Sequence, residues 1–186
     1  MTSRGPAWLW DLIGLAARLL LAGVFLVSGY IKAVDPAQTR VAVRAYQLLP
    51  EALVGPVAAV LPYLEIAAGL LLLLGLATRL GALLSALMMI AFLIGVISAA
   101  ARGLNIDCGC FGGGGAVEAG ATEYTAEILR DTGLLIVSLY LIVRPRSLLA
   151  IDSLAHRDRG DAAADDDGTP PEVAATEQAA HITEQQ

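Results

Sequence analysis

The chemistry of this chain is concentrated at Cys108 and Cys110, its only two cysteines, which are separated by a single glycine. A disulfide closed across one residue is strained, because disulfides prefer a narrow range of Cα separations and torsions. A strained disulfide is more oxidising than a relaxed one. Gly109 permits the unusual backbone torsions that such a ring needs. The spacing therefore predicts a redox-active pair, with a static disulfide and a metal site as the alternatives.

The residues around the pair favour exchange with another protein over metal binding. Four glycines, at positions 112–115, follow Phe111 and leave room for the sulfur of a partner to approach. A closed zinc site needs four Cys or His ligands, and the only histidines, His156 and His181, lie in the C-terminal segment. We therefore predict no metal site in this chain.

The elements that position the cysteines are predicted to be membrane-spanning helices. Hydrophobic residues make up 56% of the chain and its mean hydropathy is +0.67, whereas soluble domains are about half apolar at most. About 20 apolar residues suffice to cross a bilayer as a helix. Stretches of this kind occupy residues 12–31, 54–77, 80–101 and 124–143. The sequence predicts an all-α fold, an integral membrane four-helix bundle.

The last part of the chain differs in composition. Residues 152–186 hold nine acidic and two basic residues, whereas the preceding residues hold nine acidic and ten basic, so the formal net charge of -6 comes from this segment. A charged segment without apolar periodicity cannot bury enough surface to offset the entropy of ordering. We predict a membrane domain over residues 1–150 and a disordered acidic tail over residues 151–186. The chain has no basic patch with interleaved aromatic residues, which argues against nucleic acid as a partner.

The distribution of arginines predicts the orientation in the membrane. Four spans place both termini on one side, together with the link between the second and third spans. Lys and Arg near span ends collect on the cytoplasmic side, and the densest cluster is Arg144 and Arg146, directly after the fourth span. We therefore expect cytoplasmic termini and an extracytoplasmic loop with Cys108 and Cys110, where disulfides persist.

Three ionisable residues are expected beside the cysteine loop. Lys32 ends the first predicted span and Arg102 ends the third. Proline is favoured at a first helical position. If the regular part of the second span begins at Pro62, Glu65 lies in its first turn. Ionisable residues at membrane level are functional candidates. We predict that Glu65 is paired with Lys32 or Arg102, the alternative being that the cations are ordinary interfacial anchors.

The two cysteines are expected to differ in acidity. A nearby cation favours a thiolate, whereas the negative charge of Asp107 opposes one at Cys108. Backbone N–H groups that follow Cys110 would stabilise a thiolate there. The sequence therefore favours Cys110 as the sulfur with the lower pKa and Cys108 as its mate.

Short motifs along residues 12–143 resemble the MauE branch of the DoxX-like membrane proteins. They are Ser28-Gly29-Tyr30-Ile31-Lys32, Asp35-Pro36, Tyr46 with Leu49-Pro50, Leu61-Pro62 with Glu65 and Gly69, Arg102-Gly103, and Asp107-Cys108-Gly109-Cys110-Phe111-Gly112. The resemblance implies a four-helix bundle of the bacterial cytoplasmic membrane, similar in outline to the quinone-linked disulfide formers. It also implies a supporting role in the maturation of an exported enzyme, in MauE's case methylamine dehydrogenase, beside a thioredoxin-like protein.

The leading interpretation is a membrane component of thiol–disulfide exchange, in which Cys108 and Cys110 react with a thioredoxin-like extracytoplasmic partner. Quinone-linked disulfide formers use two cysteine pairs, whereas this chain has one. The pair must therefore serve partner and electron acceptor in turn, or pass its electrons to another protein. The residues predict no cofactor, and the resemblance leaves a quinone open as the acceptor.

The alternative interpretation is a non-catalytic membrane anchor for an exported redox or respiratory protein. A disulfide would then only hold the loop, and Cys-to-Ser variants would keep their function. A conventional haem carrier is excluded, because the spans contain no histidine and the usual axial ligands are reduced to Met88 and Met89.

Overall fold

The computed structural model describes residues 7–110, 112–118 and 124–144. Its elements in chain order are α1 (Ala7–Val34), α2 (Pro36–Ala45), α3 (Glu51–Leu74), α4 (Thr78–Ala101), β1 (Ile106–Asp107), β2 (Gly115–Ala116) and α5 (Tyr124–Val143). The predicted all-α fold is confirmed, with one small hairpin between α4 and α5. Phe111, His156, His181 and the predicted acidic tail lie outside the described residues.

Three of the described helices are long and apolar enough to cross a membrane. They are Trp8–Val34, Glu51–Leu74 and Thr78–Ala101. The protein is therefore a multi-pass membrane protein. Helix α5 has the predicted bounds, but it is less apolar than the other three because its first half carries Glu127, Arg130 and Asp131. Residues 133–143 of α5 contain no charged side chain.

The four long helices pack in a ring, α1 against α3, α3 against α4, α4 against α5, and α5 against α1. Leu21, Phe25 and Leu141 are among the fully buried side chains at its centre. Gly29 allows α1 to approach α3 closely, since a Cβ at this position would lie 2.8 Å from the carbonyl oxygen of Pro62. Small residues at such contacts are typical of membrane helix pairs.

Helix α3 is continuous through both of its prolines, so the condition under which Glu65 would lie in a first turn, a regular helix that begins at Pro62, is not met. The helix starts at Glu51, and Pro56 and Pro62 both lie inside it. Membrane helices tolerate proline where neighbouring groups satisfy the freed backbone, and the close contact with α1 fixes the path of the chain at Pro62. Glu65 therefore lies in the middle of α3, with 0% of its surface exposed.

The link between α3 and α4 comprises residues 75–77, whereas the sequence predicts a two-residue link at Thr78-Arg79, and both of those residues lie in α4. Gly75 ends α3 in a left-handed conformation with φ 65°, a common way for a helix to stop. Ala77 then precedes α4 with φ 46°. A turn this short makes α4 return beside α3, as predicted for the second and third spans.

Candidate thiol site

The cysteines directly follow strand β1, in the hairpin that connects α4 to α5. Strands β1 and β2 are antiparallel, with Asp107 opposite Gly115. The Asp107 carboxylate accepts hydrogen bonds from the backbone N–H groups of Gly109 at 3.2 Å and Gly114 at 3.1 Å. Asp107 thus stabilises the conformation of the loop through these two hydrogen bonds. Cys108 and Cys110 are free thiols, and each is half-buried.

Two loop glycines are required by the way the loop lies on helix α2. Gly109 has φ +66° and Gly114 has φ +95°, torsions that L side chains rarely adopt, and a Cβ at either position would stand 2.8 Å or 2.6 Å from the Cβ of Ala42. Gln38 donates to the carbonyls of Gly113 and Gly114 at 2.9 and 2.6 Å. The predicted torsion at Gly109 is confirmed, and glycine also lets the loop pack on α2.

A buried cluster of Lys32, Glu65 and Ser28 holds the backbone carbonyl of Cys110. Lys32 Nζ lies 3.0 and 3.1 Å from the two carboxylate oxygens of Glu65 and 3.1 Å from the carbonyl oxygen of Cys110. Ser28 Oγ donates to the same carbonyl at 2.7 Å and accepts a hydrogen bond from Lys32. Lys32 is only 7% exposed. The predicted Glu65–Lys32 pair is confirmed, and it lies directly beneath the loop.

Arg102 lies apart from this cluster. Its guanidinium donates to the backbone carbonyls of Tyr46, Gln47 and Ser98. Carbonyl groups at helix ends lack hydrogen-bond donors within the helix. Arg102 supplies the missing donors to the segment that follows α2. The structure therefore separates Arg102 from the residues that the sequence grouped with the cysteines.

The cation beside the cysteines is Arg130, which sequence reasoning did not connect to them. Its Nη2 lies 3.7 Å from Cys108 Sγ, and its Nε lies 3.0 Å from Oδ1 of Asp131. One turn earlier, Glu127 Oε1 accepts the backbone N–H of Cys108 at 3.4 Å. The signal in the sequence was the spacing of Glu127, Arg130 and Asp131, which places three charged side chains on one face of α5.

The structure makes Cys108 the more acidic of the two sulfurs. The Cys110 thiol, which hydrogen-bonds to the Cys108 sulfur, lowers the pKa of Cys108 to about 5, with help from the Cys110 N–H and Arg130 and against the effect of burial. The same bond, together with burial, raises the pKa of Cys110 well above its usual range. The prediction that Cys110 has the lower pKa is wrong, because Asp107 turns its carboxylate to the glycine N–H groups and the cation lies beside Cys108.

The described residues also bring three potential metal ligands together. One ligand atom each from Asp107, Cys108 and Glu127 lies within 4.8 Å of the others. The guanidinium of Arg130 stands 3.7 Å from the same sulfur and would repel a metal cation. The arrangement fits a thiolate stabilised by a cation better than a metal site, and the absence of a metal stays a prediction.

A comparison with known families covers both the bundle and the thiol site. The family described as methylamine utilisation protein MauE matches residues 10–144. No match was found among curated proteins or among solved structures. The match extends from the first turns of α1 to the end of α5, in agreement with the predicted resemblance over residues 12–143. The chain therefore belongs to the MauE family.

Proposed function

We propose that this chain is a membrane component of thiol–disulfide exchange, which oxidises a thioredoxin-like extracytoplasmic partner through Cys108 and Cys110. Its role would be to support disulfide formation in an exported protein. The observation that carries the proposal is the setting of the Cys108 sulfur, which lies 3.7 Å from Nη2 of Arg130 and accepts a hydrogen bond from the Cys110 N–H at 3.4 Å, two contacts that stabilise a thiolate. The thiolate is the reactive form of cysteine in exchange.

The stabilised thiolate also predicts the direction of electron transfer between the cysteine pair and its partner. Whatever stabilises the reduced form of a cysteine pair makes its disulfide a stronger oxidant. Here the reduced form gains the contact between Cys108 Sγ and Arg130 at 3.7 Å and the hydrogen bond from the Cys110 N–H at 3.4 Å. The disulfide of this chain is therefore expected to take electrons from a partner dithiol.

The exchange proceeds in two displacements. A partner thiolate attacks Sγ of Cys108, the bond between the two cysteines breaks, and Cys110 leaves with the electron pair and takes up a proton. The second partner thiol loses its proton and attacks the partner sulfur of the mixed disulfide, which releases Cys108 as a thiolate. In this second displacement the leaving sulfur is Cys108, which has the lower pKa of the pair and therefore leaves readily. The partner loses two electrons and two protons, of which one proton stays on Cys110 and one enters solvent.

The test is to trap the mixed disulfide. We expect Cys110→Ser to accumulate a reductant-sensitive adduct with a thioredoxin-like exported protein. The Cys108 thiolate can still attack the disulfide of the oxidised partner, which is the reverse of the second displacement, but Cys110 is missing and cannot release the partner as a dithiol. Cells are quenched with acid, and shifted bands on non-reducing gels are identified by mass spectrometry. Cys108→Ser and the double variant are the matched controls, and neither should show the adduct.

The same variants decide between exchange and the anchor role. If neither single variant forms an adduct and both support full maturation of the exported client, the exchange mechanism fails and a non-catalytic anchor replaces it. An adduct on Cys110 in Cys108→Ser, with none in Cys110→Ser, would reverse the roles of the two sulfurs.

We further propose that the thiol loop faces the extracytoplasmic side and that both termini are cytoplasmic. Arg144 and Arg146 after α5 support this orientation through the positive-inside bias. A membrane-impermeant maleimide is expected to label Cys108 in intact cells treated with reductant. Cys108→Ser/Cys110→Ser provides the background, since the chain then has no cysteine. Labelling that requires permeabilised cells would place the loop in the cytoplasm.

A further inference from the structure

An apolar cavity of about 270 Å³ lies against the thiol pair, between α2, α3 and α4. Cys108 and Cys110 form part of its wall, and two aromatic side chains, Tyr46 and Phe92, form another part. Small-molecule sites usually measure about 300 to 1,000 Å³ and combine apolar walls with a few polar groups. At about 270 Å³ the cavity lies just below this range, which matches the size of a single substituted ring and leaves any longer chain outside.

The position of the cavity indicates that its occupant comes from the bilayer. Val57 and Leu61 of α3 line it within a membrane span, and the same cavity reaches Leu48 and Leu49 in the segment before α3. Val57 is 37% exposed and Leu48 is 46% exposed on the outer surface of the bundle. Exposed apolar side chains on and beside a membrane-spanning helix are expected to face lipid, so we take these residues as the mouth of the cavity.

The chemistry of the single cysteine pair restricts the occupant further. Under the proposed function, on which this step rests, each turnover leaves two electrons on Cys108 and Cys110, and the chain has no second cysteine pair to receive them. We infer that the cavity binds the ring of a membrane quinone, which accepts these electrons. A quinone is lipid-soluble and flat, it stacks on aromatic side chains, and it takes up two electrons and two protons together.

The electrons and protons of this step balance. The Cys108 thiolate and the Cys110 thiol form the disulfide bond, which releases two electrons and the one proton held by Cys110. The quinone takes the two electrons, that proton and one proton from solvent, and becomes the quinol. The disulfide is restored without a second protein, and the quinol leaves to the bilayer through the mouth lined by Val57.

The experiment uses the full chain in lipid nanodiscs, with decylubiquinone as the probe. Binding is measured by calorimetry on Cys108→Ser/Cys110→Ser, in which no redox reaction occurs, and quinol formation is measured by absorbance on the reduced chain with both cysteines. We expect saturable binding and one quinol for each disulfide formed. Val57→Trp fills the cavity and should weaken binding about tenfold or more. Val60→Trp is the matched control, because Val60 lies on the same helix and is 53% exposed but does not line the cavity.

The outcomes separate this inference from the proposed function. Absence of saturable binding, or equal binding in Val57→Trp and Val60→Trp, would show that quinone does not bind in this cavity and would overturn the inference. The mixed disulfide of Cys110→Ser should persist when Val57→Trp is added, since the partner does not use the cavity. If quinone binds but that adduct never forms, the cavity assignment stands and the partner exchange fails.

Discussion

Glu65→Gln is expected to lower the free energy of unfolding by about 3 kcal/mol, the cost typical of breaking a buried ion pair. The carboxylate of Glu65 is fully buried and holds Lys32 Nζ at 3.0 and 3.1 Å. When the charge of Glu65 is removed, the ammonium of Lys32 has no carboxylate to pair with among the helices. Denaturant titration in detergent micelles measures the loss. We also expect faster alkylation of Cys110, because Lys32 helps to hold its carbonyl in place.

The chain contains its own control for this experiment. Arg44 and Glu51 form an ion pair of the same type, but both side chains are exposed, and exposed pairs contribute little to stability. Glu51→Gln should therefore unfold as the unaltered protein does. Lys32→Met/Glu65→Leu should recover much of the loss, since apolar residues of similar volume often replace a buried pair without cost. Equal stability of Glu65→Gln and Glu51→Gln would mean that the buried pair contributes nothing.

The pH profile of Cys108 alkylation is expected to have its midpoint near pH 5, as set by the lowered pKa of this thiol. Alkylation should continue as the pH falls from neutral to 5, because the Cys108 thiolate persists over this range. An ordinary cysteine is largely protonated below about pH 8.5. A thiolate of low pKa is also intrinsically less nucleophilic, so the midpoint is diagnostic and the absolute rate is not. Mass spectrometry of the alkylated peptide follows Cys108 separately from Cys110.

Variants identify which contact lowers the pKa. Cys110→Ala should move the midpoint furthest upward, because the Cys110 thiol is the largest cause of the lowered pKa of Cys108. Arg130→Gln should move it upward by less, and Arg130→Lys should restore part of the effect because it keeps a cation. A midpoint near pH 8.5 in the unaltered protein would contradict the stabilised thiolate and the proposed direction of exchange.

The sequence predicts the elements whose signal is local. Hydropathy is a property of continuous stretches, so the four long helices were found to within a few residues. The short interval between the second and third spans also predicted the antiparallel return of α4, although the turn lies at residues 75–77 and not at Thr78-Arg79. The pairing of Lys32 with Glu65 was also predictable, because a lone carboxylate among apolar residues needs a cation. The Cys-Gly-Cys spacing located the thiol site by itself.

The parts that the sequence did not predict depend on contacts between distant residues. Asp107 is adjacent to Cys108 in sequence and was expected to disfavour its thiolate, yet the fold of the loop turns the Asp107 carboxylate toward two glycine N–H groups. Arg130, 22 positions after Cys108, lies beside its sulfur because α5 folds back under the loop. Arg102 follows α4 directly and was expected at the cysteines, yet it binds the segment after α2.

The contact of the thiol loop with Ala42 makes helix α2 part of the candidate thiol site. A single methyl group of this exposed, amphipathic helix fills the space beneath Gly109 and Gly114. A longer side chain at position 42 is expected to lift both glycines, which would move the Cys108 sulfur away from Arg130 and weaken the hydrogen bonds that the backbone carbonyls of Cys108 and Cys110 accept. A substitution in α2 is therefore expected to change the position of the cysteine loop, although more than sixty residues separate the two in the chain.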